Sequence, residues 1–346
     1  MTFLPLRLAC AVALVGSLAA CGGKSSAGHG SSVPLSSTPT ATTATSAAPK
    51  PKPKPKPAAV NPLTGGKPIT GRVIAVKIDD TDPGRPPVGL DHADVVYIEQ
   101  VEGGLTRLLA VFYTHTPQTI GPVRSVRSND PEILAQYGAI GFVASGGGGD
   151  SLPTLDASPL KSDINDRNGP GFFRDGARSM PYDLMLNTSE VPSLGKQAQS
   201  IGWTWNKATA QLTGTPAASS LHTVIGSTGV DFAWDAKSGR YYRIVDGSSQ
   251  HAADGVLLTT PNVIVQFCKG YTNPNDVDVA GNPGHFTKTV GSGKVVVYRN
   301  GRKVTGTWSR PTAKAGTVLK DAHGHVIPLN PGGAWVLRVT NGTPLS

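Results

Sequence analysis

Short runs of β-branched and other apolar residues, each closed by Gly, Pro or Asp, recur from residue 72 to the end of the chain and set the class of fold it can adopt. Near-continuous apolar runs of this length suit strands covered on both faces, because a strand with one wet face alternates apolar and polar residues instead. The chain carries 42 Gly and 29 Pro among 346 residues, and only 16% of its residues are charged. That punctuation disfavours a helix bundle, a coiled coil and a polytopic membrane protein. Hydrophobic residues make up 38% of the chain, enough for a core, and the length suits one large domain or two of ordinary size.

In the first region, strands are expected at residues 72–78 (Arg-Val-Ile-Ala-Val-Lys-Ile), 94–99, 106–113 and 139–144. Asp130-Pro131-Glu132 reads as a helix start, with Asp130 as N-cap and Pro131 at the first helical position, the helix running through residues 133–137. Strands mixed with helices predict an α/β or α+β N-terminal domain with a mixed central sheet, over residues 61–215. From residue 229 the pattern turns strongly β. Residues 232–234 and 241–245 flank a polar turn, and residues 294–299 and 302–308 flank Asn300-Gly301, the strongest short hairpin signal. Further strands are expected at 317–319, 325–329 and 334–339. Together they predict a smaller, mostly-β C-terminal domain, a barrel or sandwich, over residues 226–346, with Trp308, Trp335 and Tyr298 in its core.

The first sixty residues read differently. Residues 1–20 form a signal peptide: Arg7 supplies the positive start, and residues 8–15 are an apolar run, too short to span a membrane, which takes roughly 20 residues. Leu18-Ala19-Ala20-Cys21 has the pattern of a bacterial lipobox. Cys21 is then the expected lipidation site and first mature residue, its sulfur carrying diacylglycerol and its amine open to a further acyl chain; more than one chain makes such an anchor stable. Residues 21–60 follow as a Ser/Thr/Ala/Pro tether with too little apolar surface to fold. Its alternating Pro and Lys at 51–57 favour an extended spacer. This places the protein at the cell membrane, on the extracytoplasmic face, with membrane lipid as its first partner. Much of the net charge of +9 sits in this tail, at Lys50, Lys52, Lys54 and Lys56. No helix-turn-helix, zinc finger or aromatic RNA-binding motif accompanies it, so no nucleic acid is expected as a partner. Once Cys10 leaves with the signal, Cys268 is a lone thiol in an apolar run, and a buried core residue is the expected role.

Polar groups collect at strand ends and tight loops. Asp79 and Asp80 follow one predicted strand, Glu99 ends the next, and Glu102 precedes Gly103-Gly104. Arg107, Arg124 and Arg127 supply the cations. Ligands of open sheets bind beyond the carboxyl ends of the strands, and an Arg fork suits carboxylate or phosphate. Arg124 and Arg127 are three apart after Pro122, which on a turn aims both at one site. These seven residues are the candidate ligand-binding set. The plainer alternative is that Glu102 bridges Arg107 across the glycine turn and that Asp79 and Asp80 cap loops. Gly146 to Gly149 lacks the Gly-Lys-Ser/Thr ending of a P-loop and reads as a flexible turn. No cofactor is identified, although acids beside an Arg pair suit a divalent cation arriving with a phosphorylated ligand. No serine or cysteine hydrolase motif is present.

Three segments in order, Ala93-Asp94-Val95-Val96-Tyr97, Val101-Glu102-Gly103-Gly104-Leu105-Thr106-Arg107 and Ile120-Gly121-Pro122-Val123-Arg124-Ser125-Val126-Arg127, resemble the YerB-like bacterial lipoproteins. So do Tyr241-Tyr242-Arg243, Asn262-Val263-Ile264-Val265-Gln266 and Gly306-Thr307-Trp308-Ser309-Arg310-Pro311 in the second half. The resemblance covers most of residues 61–339. It implies two domains of unknown function and brings no activity. Where that family tends to place Pro-His-Asn, this chain has Pro181-Tyr182-Asp183, so any work done by that His is altered here. The leading expectation is an envelope lipoprotein that binds an anionic ligand, or a cell-wall polymer or envelope protein, through an Arg/acid cleft. One alternative is an enzyme on phosphorylated envelope substrates, because Asp79, Asp80, Arg85, Arg124 and Arg127 are similar in layout to LytR-type transferases. Another is a wall hydrolase built on paired carboxylates ~5–9 Å apart.

Overall fold

The computed structural model describes residues 59–346 except 192–195, 208–211, 213 and 279. The signal sequence, the lipidation candidate Cys21 and the tether up to residue 58 lie outside the described residues. The described residues fall in one compact unit. Its first half holds β1 (Ile74–Asp79), β2 (Val95–Gln100), β3 (Thr106–Phe112), β4 (Thr119–Ile120), α1 (Asp130–Leu134), β5 (Gly141–Ala144), α2 (Ser151–Asp156), β6 (Lys161–Ile164), β7 (Phe172–Arg174) and β8 (Leu184–Asn187). The second half adds β9 (Ser220–Ile225), β10 (Thr228–Asp235), β11 (Arg240–Val245), β12 (Ser248–Ser249), β13 (Thr259–Thr260) and β14 (Asn262–Cys268). It continues with β15 (Gly270–Val277), β16 (Pro283–Thr287), β17 (Gly291–Arg299), β18 (Arg302–Arg310), β19 (Val318–Asp321) and β20 (Ala334–Thr340). Among the described residues no helix is long and apolar enough to cross a membrane.

The predicted mixed central sheet is present, with ten strands in the order β19-β18-β17-β14-β20-β2-β3-β1-β5-β6. Both halves of the chain build it. The join is a parallel pairing of β2 with β20, Val95 to Ile98 against Ala334 to Leu337. The break in pattern near residues 215–226 is therefore a change in chain path, and the core continues across it. The reason is visible in the runs themselves: β1, β14 and most of β20 are buried at every position, so all three need neighbours on both sides and cover on both faces. One face of the sheet packs Val76, Ile98, Leu108 and Val265 against Leu221, Phe232 and Tyr241 of the antiparallel β9–β13 sheet, a sandwich. The other face packs Val111, Phe142 and Val297 against Ile133 and Leu134 of α1 and Tyr137 just after it.

Local signals act as expected where they are short-range. Asn300 and Gly301 both take positive φ, 53° and 66°, and join β17 to β18 with Arg299 facing Arg302. The helix start is displaced by one residue: Asn129 is the N-cap and Asp130 is the first helical residue. The Asp130 carboxylate is engaged elsewhere, accepting from Lys77 Nζ at 2.7 Å and from the Arg127 backbone N–H at 2.7 Å. Trp308 is buried, its ring N–H donating to Phe267 O at 2.8 Å. Cys268 is buried as expected, and burial pushes its thiol up to about 11.

Candidate functional site

Strand geometry sorts the candidate residues before any chemistry is considered. Successive side chains on a strand face opposite sides of the sheet. Asp79 ends β1 opposite Arg107 on β3, so these two share a face. Asp80, one residue on, turns to the other face and meets Arg243 of β11. Its two oxygens accept from Arg243 Nη1 and Nη2, both at 2.7 Å, and from Thr106 Oγ1 at 2.7 Å. Asp80 thus belongs to a buried pair inside the sandwich and not to the arginine cleft.

Glu99 lies opposite Arg107 as well but turns to a second buried network. Lys77 Nζ is 3.6 Å away, Arg338 Nη1 3.7 Å, and Asn129 Nδ2 donates at 3.1 Å. Burial raises its pKa above the usual carboxylate value, opposed by Lys77. Arg85 is also elsewhere, paired with Asp82 at 2.7 Å.

The remaining candidates converge. β1 and β5 pair in parallel from Ile74 to Val76; beyond that point, residues 123–126 lie between them. Arg124 N–H donates to Lys77 O at 2.9 Å, and Ser145 N–H donates to Arg124 O at 2.9 Å. This extended segment, and not the expected turn, carries Arg124 and Arg127 to the carboxyl ends of the strands. There a cleft of about 450 Å³ is lined by Glu102, Arg107, Arg124, Ser125 and Arg127, with Ser151, Pro181 and Asp276 among its other walls.

The three guanidiniums are held differently. Arg124 Nε forms an ion pair with Asp79 Oδ2 at 2.7 Å, Nη1 donates to Pro181 O at 3.2 Å, and the group lies 5.4 Å from the Tyr182 ring centroid. Tyr182 is therefore a platform for a cleft arginine. Arg127 donates to Glu102 Oε2 from Nε at 2.7 Å and Nη2 at 2.5 Å, and from Nη1 to Val126 O at 2.9 Å. The predicted Glu102–Arg107 bridge is absent because Arg127 takes that carboxylate. Among the described residues the Arg107 guanidinium has a single hydrogen bond, from Nη1 to Ser125 O at 3.3 Å, and Arg127 Nη1 donates to the same oxygen at 3.3 Å. Among the described residues no carboxylate forms a salt bridge with Arg107. Burial, with the Arg127 and Arg124 charges, pulls its guanidinium down to about 9, still cationic at neutral pH.

Other wall residues do not stand out in the sequence. Ser151 is 1% exposed and its hydroxyl has no protein partner among the described residues. Asp276 belongs to the β15–β16 hairpin and accepts backbone N–H groups of Ser128 (3.2 Å) and Asp150 (2.8 Å). Asp278, on the rim, accepts from Ala280 and Asn282 of its own loop. The glycine run that reads as a flexible turn is a close-packed one: a Cβ on Gly146 would strike Asp166, and one on Gly149 would strike the Asn275 carbonyl of the same hairpin. Among the described residues no three His, Cys, Asp or Glu side chains are grouped to hold a metal ion.

Comparisons with known proteins bear on this arrangement. Residues 62–203 match the model for the N-terminal domain of a protein of unknown function (DUF3048), and residues 220–336 match the model for its C-terminal domain. The chain is 23% identical over 303 residues to "Putative lipoprotein YerB" of Bacillus subtilis (strain 168), covering 80% of this chain and 84% of that one. The crystal structure of YerB from Bacillus subtilis superposes with a TM-score of 0.71 at 21% identity, over 84% of this chain and 100% of that one. That likeness establishes a shared fold. With both domains present in order, the chain belongs to the DUF3048 family, the YerB-like proteins.

Proposed function

We infer that the protein is a lipid-anchored binding protein on the extracytoplasmic face of a bacterial membrane, and that it holds an anionic ligand in the cleft of Arg107, Arg124 and Arg127. The observation that carries the reading is Arg107: a half-buried guanidinium in a cleft with two others that, among the described residues, has one hydrogen bond and no carboxylate of its own. An anion seated there gains charge-assisted hydrogen bonds and relieves repulsion among the three cations. The unpartnered Ser151 hydroxyl in the same wall supports the reading. Binding without hydrolysis is favoured because Asp79 and Glu102 are each engaged by an arginine, and the other carboxylates among the described wall residues, Asp276 and Asp278, accept backbone N–H groups. The transferase-like layout is weakened because Asp80 and Arg85 leave the cleft.

Calorimetry with inorganic pyrophosphate tests the cleft. Arg107→Gln is expected to weaken binding roughly 10- to 100-fold, the range for losing a hydrogen-bonded charge, while the melting temperature barely falls. Equal affinity in the variant sinks the reading, as does a wild-type protein that binds no anion at millimolar concentration. The anchor rests on the lipobox and on the family likeness to a protein named as a lipoprotein. Cys21→Ser is expected to move the protein from the membrane fraction to the soluble one, and tight membrane retention of that variant contradicts it.

A further inference from the structure

The arginine cleft has a charged floor and an apolar lip. Leu105 and Val277, 48% and 47% exposed, line it, and Met180, 73% exposed, precedes the lining residue Pro181. Single exposed aliphatic residues need no explanation, but two at one opening, with a third next in the chain to a wall residue, do. These three come from separate parts of the chain: the turn between β2 and β3, the loop before β8, and the β15–β16 hairpin. The first is tightly fixed. Gly103 and Gly104 take positive φ, 65° and 74°, and Gly104 O accepts the Ser227 N–H at 2.8 Å, which sets the exit direction of Leu105. A small inorganic anion at Arg107 makes no use of such a lip.

We propose that the ligand is a single anionic amphiphile, its acidic head against Arg107 and its aliphatic chain along Leu105, Val277 and Met180. This rests on the anion-binding reading of the same cleft and names the class of molecule that would fill it. A cavity of about 450 Å³ suits one head group with the start of one chain. A flat membrane surface would not reach a half-buried guanidinium.

The test uses the full chain carrying Cys21→Ser and monomeric alkyl phosphates, methyl through octyl, below their micelle concentrations. Affinity is expected to rise with chain length, by up to about fourfold per methylene, the limit for a fully buried CH₂. The triple variant Leu105→Ser, Val277→Ser, Met180→Ser is expected to bind octyl phosphate no more tightly than methyl phosphate. Methyl phosphate binding without any chain-length dependence overturns the amphiphile and leaves the anion reading standing. No binding of methyl phosphate or pyrophosphate removes the anion reading itself. A chain-length gain that survives in the triple variant, or binding seen only with anionic vesicles, also overturns the proposal.

Discussion

Asp80 is 2% exposed, and a carboxylate so placed persists only because Arg243 and Thr106 meet both of its oxygens. Breaking such a pair leaves a buried charge without a partner, which costs about 3–5 kcal/mol, whereas replacing both partners by apolar groups of similar size is often close to neutral. Asp80→Asn is therefore expected to be strongly destabilising. Asp80→Leu combined with Arg243→Met is expected to be milder than either single change, and urea unfolding midpoints measure both. A loss below about 1 kcal/mol for Asp80→Asn would show that the pair does not tie β1 to β11. Adjacent carboxylates at a strand end invite a common role in the sequence, yet alternation along β1 sends them to opposite faces. In the sequence both fall in one candidate set, and the structure separates them. The partner of Arg127 could not be read from the sequence, because Glu102 is much nearer Arg107 in the chain and 25 residues from Arg127, and only the path of residues 123–126 brings Arg127 to it.

At the scale of elements, legibility follows range. The Asn300-Gly301 hairpin could be read directly because both positive φ values are a local demand of a two-residue turn. The run around β3 was equally clear in its apolar content. Helix α1 was found but shifted, since Asp130 is a strong capping residue whose carboxylate is drawn instead to Lys77. The glycine run before α2 was misjudged because the sequence cannot show the hairpin that packs on it. Strand neighbours were the least legible property. β14 and β20 read as buried strands, but nothing within them states that β20 lies between β14 and β2.

For the whole molecule, that placement joins the two halves of the family pattern into one core. Besides the β2–β20 pairing, Arg310 Nη2 donates to Glu132 O at 2.6 Å, Thr289 Oγ1 donates to Glu132 Oε1 at 2.5 Å, and Arg243 pairs with Asp80. Thermal unfolding is therefore expected as one cooperative transition, with calorimetric and van't Hoff enthalpies in agreement. Two resolved transitions would instead mean that the halves are energetically independent. The order of strands also bears on how the chain is made. Synthesis delivers a polypeptide from its first residue onward, yet β20, which lies between β14 and β2, follows every other strand of that sheet in the chain. Until residues 334–340 emerge, β2 has an open flank and waits. The sheet resembles an arch whose middle stone is set after both of the sides it joins.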